Sequence, residues 1–257
     1  MSALKLAARL RQHDWTAAII ELVIVVVGIL IALQVNNWNQ NRLDNARADG
    51  YYRRIHAELV ADRQNIDNTL KFWKTVSDYG QAAIAYGESG QRVDGSNWKT
   101  VLAWYQASQL MPFELEDATF TEMRDGGGLA LIDDEGLRKR LTDYYRLSGT
   151  GITANILHHD PIYRMQVRGL TPWRVQQYIW DKCFRALGGT NQELVDCPPP
   201  ISDGEAAVLL DSYRQSKSLL QNLRFWVSTL RVGAIVLDST RKDAVGLAAE
   251  VEAALEK

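Results

Sequence analysis

Few residues in this chain have a type and spacing suited to chemistry. His158-His159-Asp160 is the single cluster among four histidines. Adjacent residues on a helix point about 100° apart, whereas two imidazoles sharing a metal stand three or four positions apart. The triplet is therefore expected to be solvated or to cap a helix. His13 and His56 stand alone, so Ser-His-Asp or Cys-His catalysis has little to draw on. Asp133-Asp134-Glu135 gathers carboxylates where a helix should begin, and there they favour the helix dipole without acid–base work. Asp125-Gly126-Gly127-Gly128 lacks the Gly-Lys-Ser/Thr ending of a phosphate-binding loop and reads as a turn. Trp98, Trp104, Tyr105, Trp173, Tyr178 and Trp180 have the surface to line a pocket, but packing is the usual employment of such rings. No catalytic, cofactor-binding or metal-binding residue is assigned, no cofactor is expected, and the chain is expected to act without turnover.

The carboxyl group with the least ordinary setting is Glu21. It opens an apolar run over residues 17–35, interrupted only by Glu21 and Gln34. Nineteen residues rise about 28 Å as a helix, close to the hydrocarbon thickness of a bilayer. Leu, Ile and Val surround this helix on every side, which a soluble surface helix does not tolerate. The run is longer than a signal-peptide core of about 7–15 residues, and no Ala-x-Ala site follows it. An uncleaved signal anchor is expected, with Trp15 and Trp38 as interfacial anchors. Residues 1–16 then form a short tail, 17–36 the transmembrane helix and 37–257 the remaining domain.

One face of that helix is distinct. Glu21, Gly28, Ala32 and Asn39 fall within about 20° of one line, with Val25, Val35 and Asn36 beside it. Gly28-x-x-x-Ala32 is a small-xxx-small pair that lets two helix backbones approach closely. A carboxyl group in a span is costly unless it is paired or reaches the interface. Glu21 thus has three readings: simple interfacial exposure, packing against a partner helix, or proton handling.

Orientation rests on basic residues. Lys5, Arg9 and Arg11 precede the span, while Arg42 and Arg47 after it are offset by Asp44 and Asp49. This places the N-terminus in the cytoplasm. Cys183 and Cys197 are the two cysteines and flank a turn-rich loop containing Gly188-Gly189. A disulfide there needs an oxidising compartment; two unpaired buried thiols are the other reading. With the disulfide, residues 37–257 lie outside the cytoplasm, in the periplasm.

Residues 21–39 also carry a resemblance. They read Glu-Leu-Val-Ile-Val-Val-Val-Gly-Ile-Leu-Ile-Ala-Leu-Gln-Val-Asn-Asn-Trp-Asn. This resembles the N-terminal signature of a bacterial single-pass inner-membrane family, a domain of unknown function. Its core is Gly-Ile-Leu-Ile-Ala-Leu-Gln-hydrophobic-Asn-Asn-Trp-Asn. Phe120 to Tyr145 is similar to a second stretch of that family, so the resemblance covers residues 15–146. Gln40 departs from the acid usual there. The resemblance implies a short tail, one membrane helix, a helical domain and a bacterial envelope setting. It implies no catalytic residues.

The elements follow from periodicity. No proline precedes Pro112, which favours long helices. Tyr52, Leu59, Ile66 and Trp73 recur every seven residues, with Ile55, Leu70 and Val76 between them. The membrane helix is therefore expected to continue to about Glu88, and its apolar stripe must be covered by another helix. Helices are expected over Asn97–Leu110, after Asp117, after Asp133 or Asp134, through the 150s and 160s, and from Pro172. Asp203 is expected to cap a long helix with Val208, Leu209, Tyr213, Leu220, Leu223, Trp226 and Leu230 inward, running antiparallel to residues 51–86. Ser239 or Thr240 should cap a last helix. No strand alternation stands out, so the expected fold class is all-α, a helical bundle.

Composition excludes several functions. A net charge of −2 argues against nucleic-acid binding through a broad basic surface. Charged residues at 23% are too many for a multi-pass transporter, and eight Trp with ten Tyr argue against disorder. The expected function is a membrane-anchored binding, adaptor or accessory subunit whose partners are the membrane and a second copy or another membrane protein. The alternatives are a periplasmic ligand-sensing subunit signalling through a partner, with its small molecule unknown, or an ion-coupled accessory subunit using Glu21.

Overall fold

The computed structural model describes residues 15–150, 160–189 and 191–256, and their side chains from residue 19 on, 148–150 excepted. The described residues form eight α-helices, two short 3-10 turns and one hairpin, so the chain is all-α in class. Two compact units divide at Tyr51/Tyr52, and helix α1 (Trp15–Ser89) contributes to both.

In the second unit, α1 buries Ile55, Leu59, Asp62, Ile66, Thr69, Trp73 and Val76. Their spacing alternates between four and three, the signature of one helix stripe laid against a neighbour. Leu70, expected in that stripe, is only half-buried; Thr69 takes the position. Helix α8 (Lys217–Leu255) covers the later part of this helix, near Gly80 and Gly87. The ion pairs Arg224–Glu88 and Arg241–Asp67 join late α1 to early α8 and earlier α1 to later α8, so the two run antiparallel.

The contact is close because α1 presents glycine. A Cβ at Gly80 would overlap Cγ2 of Val227, whereas one at Gly246, on the outside of α8, would meet nothing. Alanine is favoured over glycine inside a helix by about 1 kcal/mol, but overpacking costs about 1–3 kcal/mol. Gly80→Ala is therefore expected to lose stability and Gly246→Ala to gain about 0.5–1 kcal/mol. Urea unfolding of the two variants checks this; a stabilised Gly80→Ala protein would mean that α1 and α8 pack further apart.

Helix α2 (Asn97–Gln106) is the centre of this unit, with nine of its residues buried. Its N-terminus is capped by Ser96, whose hydroxyl accepts from the Lys99 amide at 3.2 Å. A buried helix must also satisfy its last carbonyls. Ala103, Tyr105 and Gln106 pair with the amides that follow, and donors from other helices reach Trp104 and carbonyls just beyond the helix end. Tyr163 donates to Trp104 O, Trp226 Nε1 to Ala107 O at 2.9 Å, Arg164 to Ser108 O at 2.7 Å, and Trp73 Nε1 to Met111 O at 2.9 Å. The aromatic residues thus fill the core and terminate a helix with the same side chains.

The other helices are α3 (Ala118–Asp125), α4 (Glu135–Thr150), α5 (Ile162–Leu170), α6 (Trp173–Lys182) and α7 (Asp203–Gln215); α5 and α7 pack on α2, and α4 packs on α8. Asp117 precedes α3 but its side chain makes no cap; Glu58 Oε1 accepts from the Thr119 amide instead, at 2.9 Å. Asp134 begins α4 as expected, accepting from the Leu137 amide at 2.9 Å.

Four expectations for the C-terminal half need correction. The cap of α7 is Ser202, which forms a reciprocal capping box with Glu205; Asp203 is already inside the helix. Val208 is 71% exposed, one position off the stripe formed by Ala206, Leu209, Leu210 and Tyr213. The long helix breaks at Ser216, within a Gln-Ser-Lys-Ser stretch where serine side chains compete for backbone hydrogen bonds. No break occurs at Ser239 or Thr240. There Asp238 pairs with Arg241 and Lys242 and Leu237, Ala244 and Leu247 keep the buried stripe running.

A fifth correction is the hairpin. Strands β1 (Phe184–Gly188) and β2 (Asn191–Leu194) pair antiparallel, with Phe184 opposite Leu194 and Arg185 opposite Glu193. Gly188 and Gly189 take φ of 97° and 56°, which glycine adopts without strain. Strands of five and four residues are too short to show alternation in the sequence. An isolated two-stranded hairpin is marginal in water. This one is closed at its base by a disulfide between Cys183 and Cys197, whose Cα atoms lie 5.3 Å apart. The backbone at each cysteine is held as well: Gln106 Nε2 donates to Cys183 O and Trp98 Nε1 to Cys197 O, both at 2.9 Å.

Candidate functional site

The first candidate lies in the N-terminal unit. Its side chains from Ile19 to Arg42 are all exposed, and its most apolar window has no buried residue. The helix is long and apolar enough to cross a membrane. A contiguous exposed apolar surface of this extent marks a site of membrane or protein contact. Glu21, Val25, Gly28, Ala32, Asn36 and Asn39 are all exposed, and a Cβ at Gly28 would meet nothing. The small-residue face is therefore open to a partner backbone. Trp38 is exposed, with the Arg42 guanidinium 5.9 Å from its ring centroid, a pairing suited to a headgroup layer. The side chain of Trp15 lies outside the described residues.

The remaining sequence candidates lie in the second unit. His158 and His159 fall outside the described residues; Asp160 pairs with Arg164 at 3.2 Å. No metal-binding group of three or more His, Cys, Asp or Glu exists among the described residues. The six aromatics do not converge on one pocket. Trp98, Trp104 and Tyr105 are core residues, while Trp173 is exposed. Tyr178 packs edge-on to Trp98 and Trp180 edge-on to Tyr105. The Arg168 guanidinium sits 5.4 Å from the Tyr105 ring and 5.1 Å from the Trp180 ring, and hydrogen-bonds to Ser108 Oγ and Gln109 Oε1. Burial lowers its pKa to about 10, so it stays charged at neutral pH.

The buried ionisable group that sequence reasoning missed is Asp62. It is fully buried on α1. Tyr144 Oη donates to Oδ2 at 2.7 Å and the Glu116 amide donates to Oδ1 at 2.9 Å. The nearby charges, Glu116 and Glu58, are of the same sign. Desolvation therefore dominates and raises its pKa from 3.8 to about 6, against the two hydrogen bonds that lower it. One turn earlier, Glu58 holds the start of α3 while its Oε2 has no partner; the neighbouring Tyr145 Oη, also buried, has none either. The sequence does carry a signal for Asp62. It lies seven residues after Ile55 and seven before Thr69, in the buried stripe, where an acid is out of place.

The chain was also compared with known proteins: no family model, curated protein or solved structure matches it.

Proposed function

We propose that this chain is a bacterial single-pass inner-membrane protein with its N-terminus in the cytoplasm and residues 37–257 in the periplasm. It acts by binding rather than by turnover, as an adaptor or accessory subunit. It associates with a second copy or another membrane protein through the Glu21, Val25, Gly28, Ala32, Asn36 and Asn39 face. The observation that carries this reading is the uncovered apolar helix with open space over Gly28. In a bilayer the lateral surfaces of such a helix are satisfied by lipid, and the small-residue face allows close backbone contact. The Cys183–Cys197 disulfide supports an oxidising compartment for the domain. The resemblance of residues 21–39 to a bacterial envelope family points the same way.

In-cell cross-linking from the second unit, read by mass spectrometry, tests the proposal. The native chain is expected to yield a specific partner or a self-cross-link. Gly28→Leu, which places a branched side chain on the face, is expected to abolish it while leaving the fold of residues 52–257 unchanged. Cross-links that persist in Gly28→Leu, or a native chain that is extracted by carbonate washing, would remove the basis for association through α1.

A further inference from the structure

The buried residues of the second unit fall into two groups. The larger core runs along α1 from Ile66 to Tyr86 and takes in α2, α5, α6, α7 and α8 as far as Leu237. Ile55 and Leu59 of α1, Phe120 of α3, Leu141 of α4 and Leu247 of α8 are buried as well, but none of them belongs to that core. Phe120 stacks on Tyr145 with ring centroids 4.5 Å apart, and α4 packs on α8, so α3, α4 and the later part of α8 make a smaller core of their own. Asp62 stands on the seam. It lies between Leu59, outside the larger core, and Ile66, where that core begins on α1.

The hydrogen bonds that tie α1 to α3 and α4 end on carboxylates. Arg54 donates to Glu122 at 2.6 Å, the Thr119 amide to Glu58 at 2.9 Å, and the Glu116 amide and Tyr144 hydroxyl to Asp62 at 2.9 and 2.7 Å. Two atoms here are buried and unmatched, Glu58 Oε2 and Tyr145 Oη. Unmade buried hydrogen bonds are costly, so this seam is where the second unit opens most readily. Residues 109–117, between the larger core and α3, carry no helix or strand and serve as a tether. The charges at the seam have one sign. Glu58 on α1 and Glu116 before α3 act on Asp62; Asp117 before α3 acts on Tyr145, and Asp243 of α8 acts on Tyr144. No cation among the described residues acts on Asp62. The Arg54–Glu122 pair lies about two turns earlier on α1 and carries no net charge.

We propose that α3 and α4 form a pH-operated flap, held against α1 while Asp62 carries a proton and released when Asp62 ionises. A neutral carboxyl group fits the closed seam. An ionised one adds a charge beside Glu58 and Glu116 with no cation to offset it, and opening returns that charge to water. Opening also bares Ile55 and Leu59 of α1 and Phe120 of α3, apolar surface suited to a partner. In the closed form Asp62 keeps its proton up to about pH 6, whereas in water its pKa is 3.8. The closed form therefore binds more protons between these values, and the open fraction rises as pH climbs through them. From pH 5 to pH 8 these two pKa values give an increase in the opening equilibrium of about tenfold. The inference concerns the second unit alone and does not depend on how α1 associates.

Amide hydrogen exchange of the full-length protein in detergent micelles, read by mass spectrometry across the range from about pH 5 to pH 8, tests the flap. Rates are corrected for the intrinsic pH dependence of exchange. Protection of peptides from α3 and α4 is expected to fall about tenfold over that range, while peptides from α2 keep theirs. Asp62→Asn, which cannot ionise, is expected to make the protection of α3 and α4 independent of pH. Leu141→Ala serves as the contrast: it weakens the smaller core without touching the acid, so it is expected to lower protection by the same factor at both ends of the range and to leave the tenfold dependence in place. Three results overturn the proposal: native protection of α3 and α4 that does not change with pH, an equal loss in α2, which means that the whole unit opens together, or a pH dependence that survives in Asp62→Asn.

Discussion

Trp226→Ala is expected to destabilise the second unit by about 4–5 kcal/mol, the sum of two losses. The side chain is 3% exposed, and emptying a buried Trp site costs about 3–5 kcal/mol through lost transfer energy and the cavity left behind. The variant also leaves Ala107 O, now paired with Trp226 Nε1 at 2.9 Å, without a donor near the end of a buried helix. An unmade buried hydrogen bond costs about 1–3 kcal/mol. Water entering the new cavity can satisfy that carbonyl in part, so the sum stays below the arithmetic maximum. Trp226→Phe separates the two: it keeps most of the volume, loses the donor, and is expected to cost about 2 kcal/mol. Urea unfolding of both variants measures the pair. Equal losses would mean that Trp226 acts as a donor only, and losses under about 1 kcal/mol in both would mean that α2 is not closed by α8.

Asp62 gives the second large effect, and it depends on pH. Its pKa is 3.8 when unperturbed and about 6 in the folded protein, so the folded state holds the proton more tightly. Between these values the folded chain binds more protons than the unfolded chain, and stability falls as pH rises. The contribution is fully present below about pH 4 and is lost as pH passes through about 6. A shift of this size corresponds to about 3 kcal/mol. Asp62→Asn keeps an acceptor for the Glu116 amide and does not ionise. The stability of Asp62→Asn relative to the native chain is therefore expected to rise by about 3 kcal/mol between about pH 4 and pH 8. Tyr144→Phe, which removes a donor to the charged form, is expected to extend the native dependence to higher pH. A denaturation series in steps of about one pH unit across that window decides it. Parallel curves for the native chain and Asp62→Asn would show that Asp62 does not change charge in this range.

These two sites differ in how far the sequence announced them. Trp226 was legible as core because it sits in a stripe with Leu223 and Leu230, and periodicity reports burial. Its role as a donor to Ala107 O was not legible, since the partner lies 119 positions away. Asp62 was legible only as an exception to a pattern, and the half-buried Leu70 blurred that pattern by offering an apolar residue one position from Thr69, which holds the true stripe. Val208 failed for the same reason in α7: a neighbouring apolar residue is indistinguishable from a core residue until the helix is rotated against its partner. The break at Ser216 and the continuity through Ser239-Thr240 depend on which segment has a buried stripe to hold it, and weak helix formers alone do not fix that.

What the sequence determined by itself was everything carried by local pattern. The apolar run of residues 17–35, the length of α1 and the helical class follow from composition and spacing, because a helix seam imposes a short-range period, and the turn at Gly188-Gly189 follows from the positive φ that glycine adopts freely. What only the tertiary structure decided was the set of encounters between distant segments. The Cys183–Cys197 closure, the donors that terminate α2 and the burial of Asp62 under Tyr144 join residues far apart in the chain. No local period encodes such meetings. They arise when stripes pair, and pairing is set by the whole helix surface at once.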